Sequence, residues 1–128
     1  MPNLSAGRGS PILWLLFSLR GRISRRLYWL TYLLLVALQS AILAQIWGGE
    51  YATLHRYAVN FGPAVILATL YVTLTLSVKR LHDVGYSGFL AVALLIPFVN
   101  ILFTVWVGIL PGTAGPNPYG EAADAPPR

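Results

Sequence analysis

Three long apolar blocks, separated by short polar connections, organise this chain. Residues 27–47 carry no charge. As a helix rising about 1.5 Å per residue they extend about 31 Å, close to the roughly 30 Å of bilayer hydrocarbon. Tyr28, Trp29 and Tyr32 suit one membrane interface and Trp47 the other. Ser24 is a candidate N-cap for this helix. A second block covers 61–78. Asn60, Gly62 and Pro63 read as its start, although Tyr57 and Ala58 are compatible with an earlier one. Thr69, Thr73 and Ser77 recur every fourth residue, so they share a face that suits close packing on another membrane helix. The third block, 89–110, carries Pro97 and Asn100 near its middle. A single kinked span is the expectation. The alternative is a hairpin of two short helices, whose bend would have to be buried in protein, because lipid cannot satisfy an irregular backbone.

The flanks differ from the blocks. Residues 1–9 are expected to be disordered. "SPILWLLFSLRG" reads as a short helix, with Ser10 as cap, Pro11 in the first position and Gly21 at the exit. It is too short to cross a bilayer and is expected to lie in the interface. No small-residue cleavage site follows it, so its removal as a signal peptide is not expected. From 111 onward the chain holds five prolines and three glycines, which excludes a helix. Residues 121–128 are expected to be a disordered tail. One membrane domain, 10–120, remains.

Composition strengthens the membrane reading. Of 128 residues, 56% are hydrophobic and only 10% charged, against about 25% charged in soluble domains. Cysteine is absent, which removes disulfides and thiolate chemistry. The net charge of +5 is unevenly spread. Arg8, Arg20, Arg22, Arg25 and Arg26 precede the first span, and Lys79 and Arg80 follow the second. Basic residues collect on the cytoplasmic side, so the N-terminus is expected inside and the 48–56 loop outside. Charges gathered at span ends, not over a soluble face, argue against nucleic acid as a partner.

Candidate chemistry is concentrated in "SVKRLHDVGYSGF", residues 77–89. Lys79 and Arg80 oppose the dipole at the end of the second helix. Asp83 is spaced to pair with either. Gly85 suits a left-handed helix end, and Ser87 the next cap. The simplest reading is an interfacial corner with its charges among headgroups. The functional reading has Arg22, Arg25, Arg26, Lys79, Arg80, His82 and Asp83 facing lipid phosphates or a partner. His82 and Asp83 are too few to hold a metal. No activated serine, paired carboxylates or phosphate-cradling loop points to an enzyme or a cofactor. Gln39 and Asn100, the intramembrane polar residues, are expected to bond across helices. No ionised residue lies within a span, which argues against ion-coupled transport.

Three stretches, "LFSLRGRISRRLYWLTYLLL", "SVKRLHDVGYSGF" and "LPGTAGPNPYG", together resemble the YhaH-like family of small bacterial inner-membrane proteins, domain of unknown function 805. The resemblance runs from about Leu15 to Gly120. It rests on Gly21, Arg22, Arg25, Tyr28 and Trp29. It continues through Arg80, Leu81, His82, Asp83, Gly85, Ser87 and Gly88. The tail motif adds Pro111, Gly112, Thr113, Gly115, Asn117, Tyr119 and Gly120. Lys79 stands where the family often has arginine, Phe89 where tryptophan is common, and Pro118 where a basic residue is frequent. The resemblance implies a multi-pass plasma-membrane location and a shared helical fold, not a reaction.

The sequence therefore predicts an all-α integral membrane bundle of three spans, or two spans plus a helical hairpin, with an interfacial N-terminal helix. The expected role is a non-enzymatic scaffold or binding module. Its partners would be anionic membrane lipids, a second copy of the chain or another membrane protein. A subunit of a transport or channel assembly is the alternative, with Gln39, Asn100, Thr69, Thr73 and Ser77 lining a path. A lipid-modifying enzyme is the least favoured reading.

Overall fold

The computed structural model describes residues 10–126. Within them the chain forms helices α1 (Pro11–Phe17), α2 (Arg25–Gly48) and α3 (Ala52–Val84), a 3-10 helix (Gly88–Leu95) and α4 (Val99–Ile109). No strand occurs among the described residues, and β-pairing is confined to two isolated bridges, Arg22 with Ala125 and Asn117 with Gly120. The expected disorder of residues 1–9 lies outside the described residues.

The helices α2 and α3 are long and apolar enough to cross a membrane. They run antiparallel, since Tyr28 meets Ser77 (3.4 Å), Gln39 meets Thr69 (2.7 Å), and Gly62 sits beside Ile42. The side chain of Ser24 caps α2 through the Leu27 N–H, as expected. Ser10 makes no side-chain cap on α1, although Pro11 does hold the first position. That helix ends at Phe17, short of Gly21.

The helix α3 departs from the sequence reading. It begins at Ala52, not near Phe61, and runs through Pro63. The polar connection is only a few residues long, so the chain re-enters helix at once. His55 Nδ1 lies 2.6 Å from the Gln45 carbonyl, tying the first turns of α3 to the last of α2. Its 33 residues give about 50 Å of helix, more than a bilayer's hydrocarbon needs. Its apolar stretch ends at Val78, and the ionisable residues Lys79, Arg80, His82 and Asp83 follow it in the last turns. Gly85 ends the helix at φ 95°, with its N–H on the His82 carbonyl and the Tyr86 N–H on the Leu81 carbonyl.

The third block is a hairpin, which corrects the expected single kinked span. The Ser87 side chain caps the 3-10 helix. Pro97 stops further helix, and Phe98 turns the chain at φ 65°, with the Val99 N–H on the Pro97 carbonyl at 2.8 Å. From there α4 returns, so that Leu110 ends beside Arg80 on α3. Leu81, Ala91, Phe103 and Val107 form the core between α3, the 3-10 helix and α4. A second core, Ile23, Tyr28, Val72 and Leu76, joins α2 to α3 and takes in Trp14, Leu15 and Leu16 of α1. Asn100 consequently lies at the hairpin bend. Within the single chain that bend is exposed, with Phe98 84% accessible.

Candidate functional site

The helices α1 and α4 finish at the charged end of α3, and the C-terminal segment lies against it. The last carbonyls of a helix have no partner within it and carry a partial negative charge. Here the side chains of α3 supply the missing donors. Lys79 Nζ donates to the carbonyls of Trp14 (2.8 Å) and Leu15 and stands 4.7 Å from the Trp14 ring centre. The Thr75 hydroxyl donates to Leu16 (2.8 Å) and that of Tyr71 to Phe17 (3.2 Å). The exposed carbonyl end of α1 is thereby fastened to one face of α3. Arg80 does the same for α4, donating through Nε to Val107 (3.2 Å) and through Nη2 to Leu110. Trp29 of α2 adds a bond from Nε1 to Gly108 at 3.1 Å.

Arg22 extends this pattern to the C-terminal segment. It precedes α2 and donates to the carbonyls of Thr113 (2.7 Å), Gly115 (2.7 Å) and Gly120 (3.1 Å). Its Nε reaches Asp83 Oδ1 at 3.0 Å, while Arg80 holds Asp83 Oδ2 at 2.5 Å. Lys79 and Arg80 are fully buried, and Arg22 and Asp83 almost so. Buried cations survive when carbonyls and carboxylates replace their hydration. That condition is met at each of them.

His82 faces the tail. Its ring stacks on Tyr119 with centroids 4.0 Å apart and planes within 2°. Its Nδ1 lies 3.2 Å from the Gly21 carbonyl. Asn117 Nδ2 donates to the His82 carbonyl at 2.8 Å, and the Thr113 N–H to that of Asp83 at 2.7 Å. Burial depresses the His82 pKa below the ordinary imidazole value, and the Gly21 hydrogen bond only partly opposes it.

The sequence-predicted residues divide accordingly. Arg22, Lys79, Arg80, His82, Asp83, Asn117 and Tyr119 come together, but Lys79, Arg80, Arg22 and Asp83 are turned inward to backbone and to one another instead of facing outward. Arg25 and Arg26 are exposed. Gln39 Nε2 donates to Thr69 Oγ1 at 2.7 Å between α2 and α3, while Asn100 lies apart, so they do not line one path. Sequence reasoning passed over the carbonyls of Thr113, Gly115 and Gly120, and also Asp124. Asp124 accepts the Ser24 N–H at 2.7 Å and donates its own N–H to Arg22 at 2.9 Å. Residues 121–126, read as a disordered tail, are in this way laid along 22–24. The signal that was available for the loop is Gly115, whose φ of 76° suits glycine.

Between the start of α2 and the C-terminal segment lies an open groove of about 490 Å³, lined by Arg22, Arg25, Arg80, Asp83, Thr113 and Glu121 among others. No group of three His, Cys, Asp or Glu side chains stands together among the described residues.

The family described as protein of unknown function, DUF805, matches residues 16–121, a stretch that runs from the end of α1 through the Lys79–Asp83 turn to the tail motif. Inner membrane protein YhaI of Escherichia coli strain K12 is 32% identical over 101 residues, covering 79% of this chain and 81% of that protein. The YhaI protein of Escherichia coli O157:H7 is similar to the same extent. No solved structure matches the chain.

Proposed function

The chain belongs to the DUF805 family, and we propose that it is a multi-pass inner-membrane protein acting as a non-enzymatic binding module for anionic lipid headgroups. In this reading α2 and α3 span the bilayer. The 3-10 helix and α4, each about 16 Å long, enter and leave on one side. The basic end, with both described termini, faces the cytoplasm, in keeping with the preference of Lys and Arg for that side.

The observation that carries the proposal is the division of labour among the arginines. Arg22 and Arg80 are consumed in holding the fold, whereas Arg20, Arg25 and Arg26 stand exposed around the same end. An exposed arginine rim at the membrane surface is suited to phosphates, at about 1 kcal/mol per residue. The test is lipid retention. The protein, extracted from mixed phosphatidylglycerol and phosphatidylcholine, should keep phosphatidylglycerol preferentially when examined by native mass spectrometry. The triple change Arg20→Ala, Arg25→Ala and Arg26→Ala should abolish that preference. A wild-type protein that retains both lipids equally would overturn the proposal.

A further inference from the structure

The C-terminal segment brings anions of its own to the arginine rim. Among residues 111–126 only Glu121 and Asp124 are charged, and both are acidic. Asp124 sits at the start of α2, where its Oδ1 accepts the Ser24 N–H at 2.7 Å. Ser24 immediately precedes Arg25 and Arg26 in the chain. Glu121 lines the same groove as Arg25. With the segment docked, two carboxylates therefore offset part of the charge of the three exposed arginines, Arg20, Arg25 and Arg26.

The segment is fastened in a way that lets its outer part lift. None of residues 111–126 is buried, and none belongs to either core. The inner part, 111–117, is gripped from below. Arg22 holds the Thr113 and Gly115 carbonyls, the Asp83 carbonyl takes the Thr113 N–H, and Asn117 donates to the His82 carbonyl. The outer part, 118–126, is held by the Tyr119 stack on His82, by the Gly120 carbonyl on Arg22 and by the two Asp124 bonds. Neither Glu121 nor Asp124 makes an ion pair within 4.0 Å among the described residues, so lifting this part breaks none. It also releases Asp124 from a left-handed backbone, φ 62°, which is uncommon away from glycine. Few buried apolar contacts and exposed backbone hydrogen bonds mark the parts of a fold that open first.

We propose that residues 118–126 form an acidic flap that competes with anionic headgroups for the Arg20, Arg25 and Arg26 rim, weakening the rim while docked and lifting when an anionic membrane surface takes its place. This rests on the headgroup reading above and adds its regulation. Carboxylate and lipid phosphate carry the same sign and oppose each other at one place. The coupling is reciprocal: lipid that loosens the flap binds more tightly once the flap is loosened by other means.

The experiment takes two readouts on the full chain. The first is hydrogen exchange in nanodiscs of phosphatidylcholine alone and of phosphatidylcholine mixed with phosphatidylglycerol. The amides of 118–126, that of Asp124 among them, should exchange about fivefold faster in the mixed discs, whereas those of 99–109 in α4 should not change. The second is native mass spectrometry with the same two lipids. Glu121→Gln combined with Asp124→Asn should raise the preference for phosphatidylglycerol about fivefold, the effect of one charge near a membrane surface. Tyr119→Ala keeps both carboxylates but removes the stack that holds the flap, and should raise the preference too. Glu50→Gln, which removes a carboxylate from the connection between α2 and α3, is the control and should leave it unchanged. Glu121, Asp124 and Tyr119 lie outside both cores, so these variants are expected to fold. Flap amides equally protected in both discs, in a wild type that still prefers phosphatidylglycerol, would overturn the flap and leave the rim reading intact. A gain in the carboxylate variant with none in Tyr119→Ala would do the same, because Glu121 and Asp124 would then act as fixed charges. A wild type that retains both lipids equally would overturn the rim reading and the flap with it.

Discussion

Arg22 Nε lies 3.0 Å from Asp83 Oδ1, a buried ion pair closed across 61 positions of the chain. Because Arg80 holds the other oxygen, one carboxylate balances two guanidinium groups. Asp83→Asn keeps the shape and removes the charge. It should destabilise the protein by about 3–5 kcal/mol, the usual cost of leaving a buried charge unpaired. Chemical unfolding of purified protein in mixed micelles would measure this. An unchanged midpoint would mean that the backbone carbonyls alone suffice to hold both arginines.

A glycine sets how closely α4 approaches α2. A Cβ on Gly108 would fall 2.5 Å from Trp29 Cζ2, and Trp29 donates to the Gly108 carbonyl. Gly108→Ala must therefore push the indole aside or move the hairpin, at about 1–3 kcal/mol. With Trp14, Trp47 and Trp106 replaced by Phe, the emission of Trp29 should shift on making the Gly108→Ala change. Gly48→Ala is the control, since a Cβ there meets nothing within 4 Å.

Docking of the tail should depend on pH. His82 lies past the apolar stretch of α3, and burial disfavours its charged form in the fold, so its native pKa is below the unfolded value of about 6.5. The unfolded chain then binds more protons as pH falls. Stability is unaffected by this group well above 6.5 and declines as pH drops through 6.5 toward the native pKa. The melting midpoint should fall between pH 7.5 and 5.5 in the wild type and change less in His82→Asn. Tyr119→Ala, which uncovers the ring, should bring the imidazole pKa seen by NMR back toward 6.5. A native pKa at or above 6.5 would refute this.

What could be read beforehand was local chemistry. Ser24 and Ser87 as caps, Gly85 as a left-handed helix end, and an uncharged stretch near 27–47 depend on neighbours within a turn or two, and all appear in the fold. The path of 89–110 did not depend on neighbours in that way. Hydropathy is the same for one span and for a hairpin of equal length, and what decides between them is long-range: the bonds from Arg80 to Val107 and Leu110 and the core that α4 shares with α3. Lys79 was legible as a charge at a helix end. Its partners, carbonyls of Trp14 and Leu15, lie more than 60 residues away and belong to groups every residue carries. Pro63 misled because proline favours a helix start, yet neighbouring helices let a membrane helix continue through it.

Within the membrane, Gln39 and Thr69 should contribute modestly. Their 2.7 Å bond joins α2 to α3, and such bonds are typically worth about 0.6–2 kcal/mol. A double-mutant cycle with Gln39→Leu and Thr69→Val, read by unfolding in mixed micelles, should give a coupling energy in that range. If these residues instead lined a transport path, either change would alter flux in reconstituted vesicles while the coupling stayed near zero.

The hairpin sets the side on which the C-terminal segment emerges, and the absence of native cysteine makes this directly measurable. Arg80 bonds to Leu110, and the Thr113 N–H bonds to the Asp83 carbonyl, so the tail leaves at the end of α3 that also holds Arg20 and Arg22. Single cysteines at Thr113 and Arg20, both exposed, should react with a membrane-impermeant maleimide from the same side. A cysteine at Glu50, in the connection between the two long helices, should react from the other. Under the positive-inside preference the first two should label only in inverted vesicles and Glu50 only in intact cells. Labelling of Thr113 together with Glu50 would require 89–110 to cross the bilayer. The stacking of Tyr119 on His82 and the three carbonyls around Arg22 would then be impossible in the same molecule, so this one comparison tests the composite site as well as the topology.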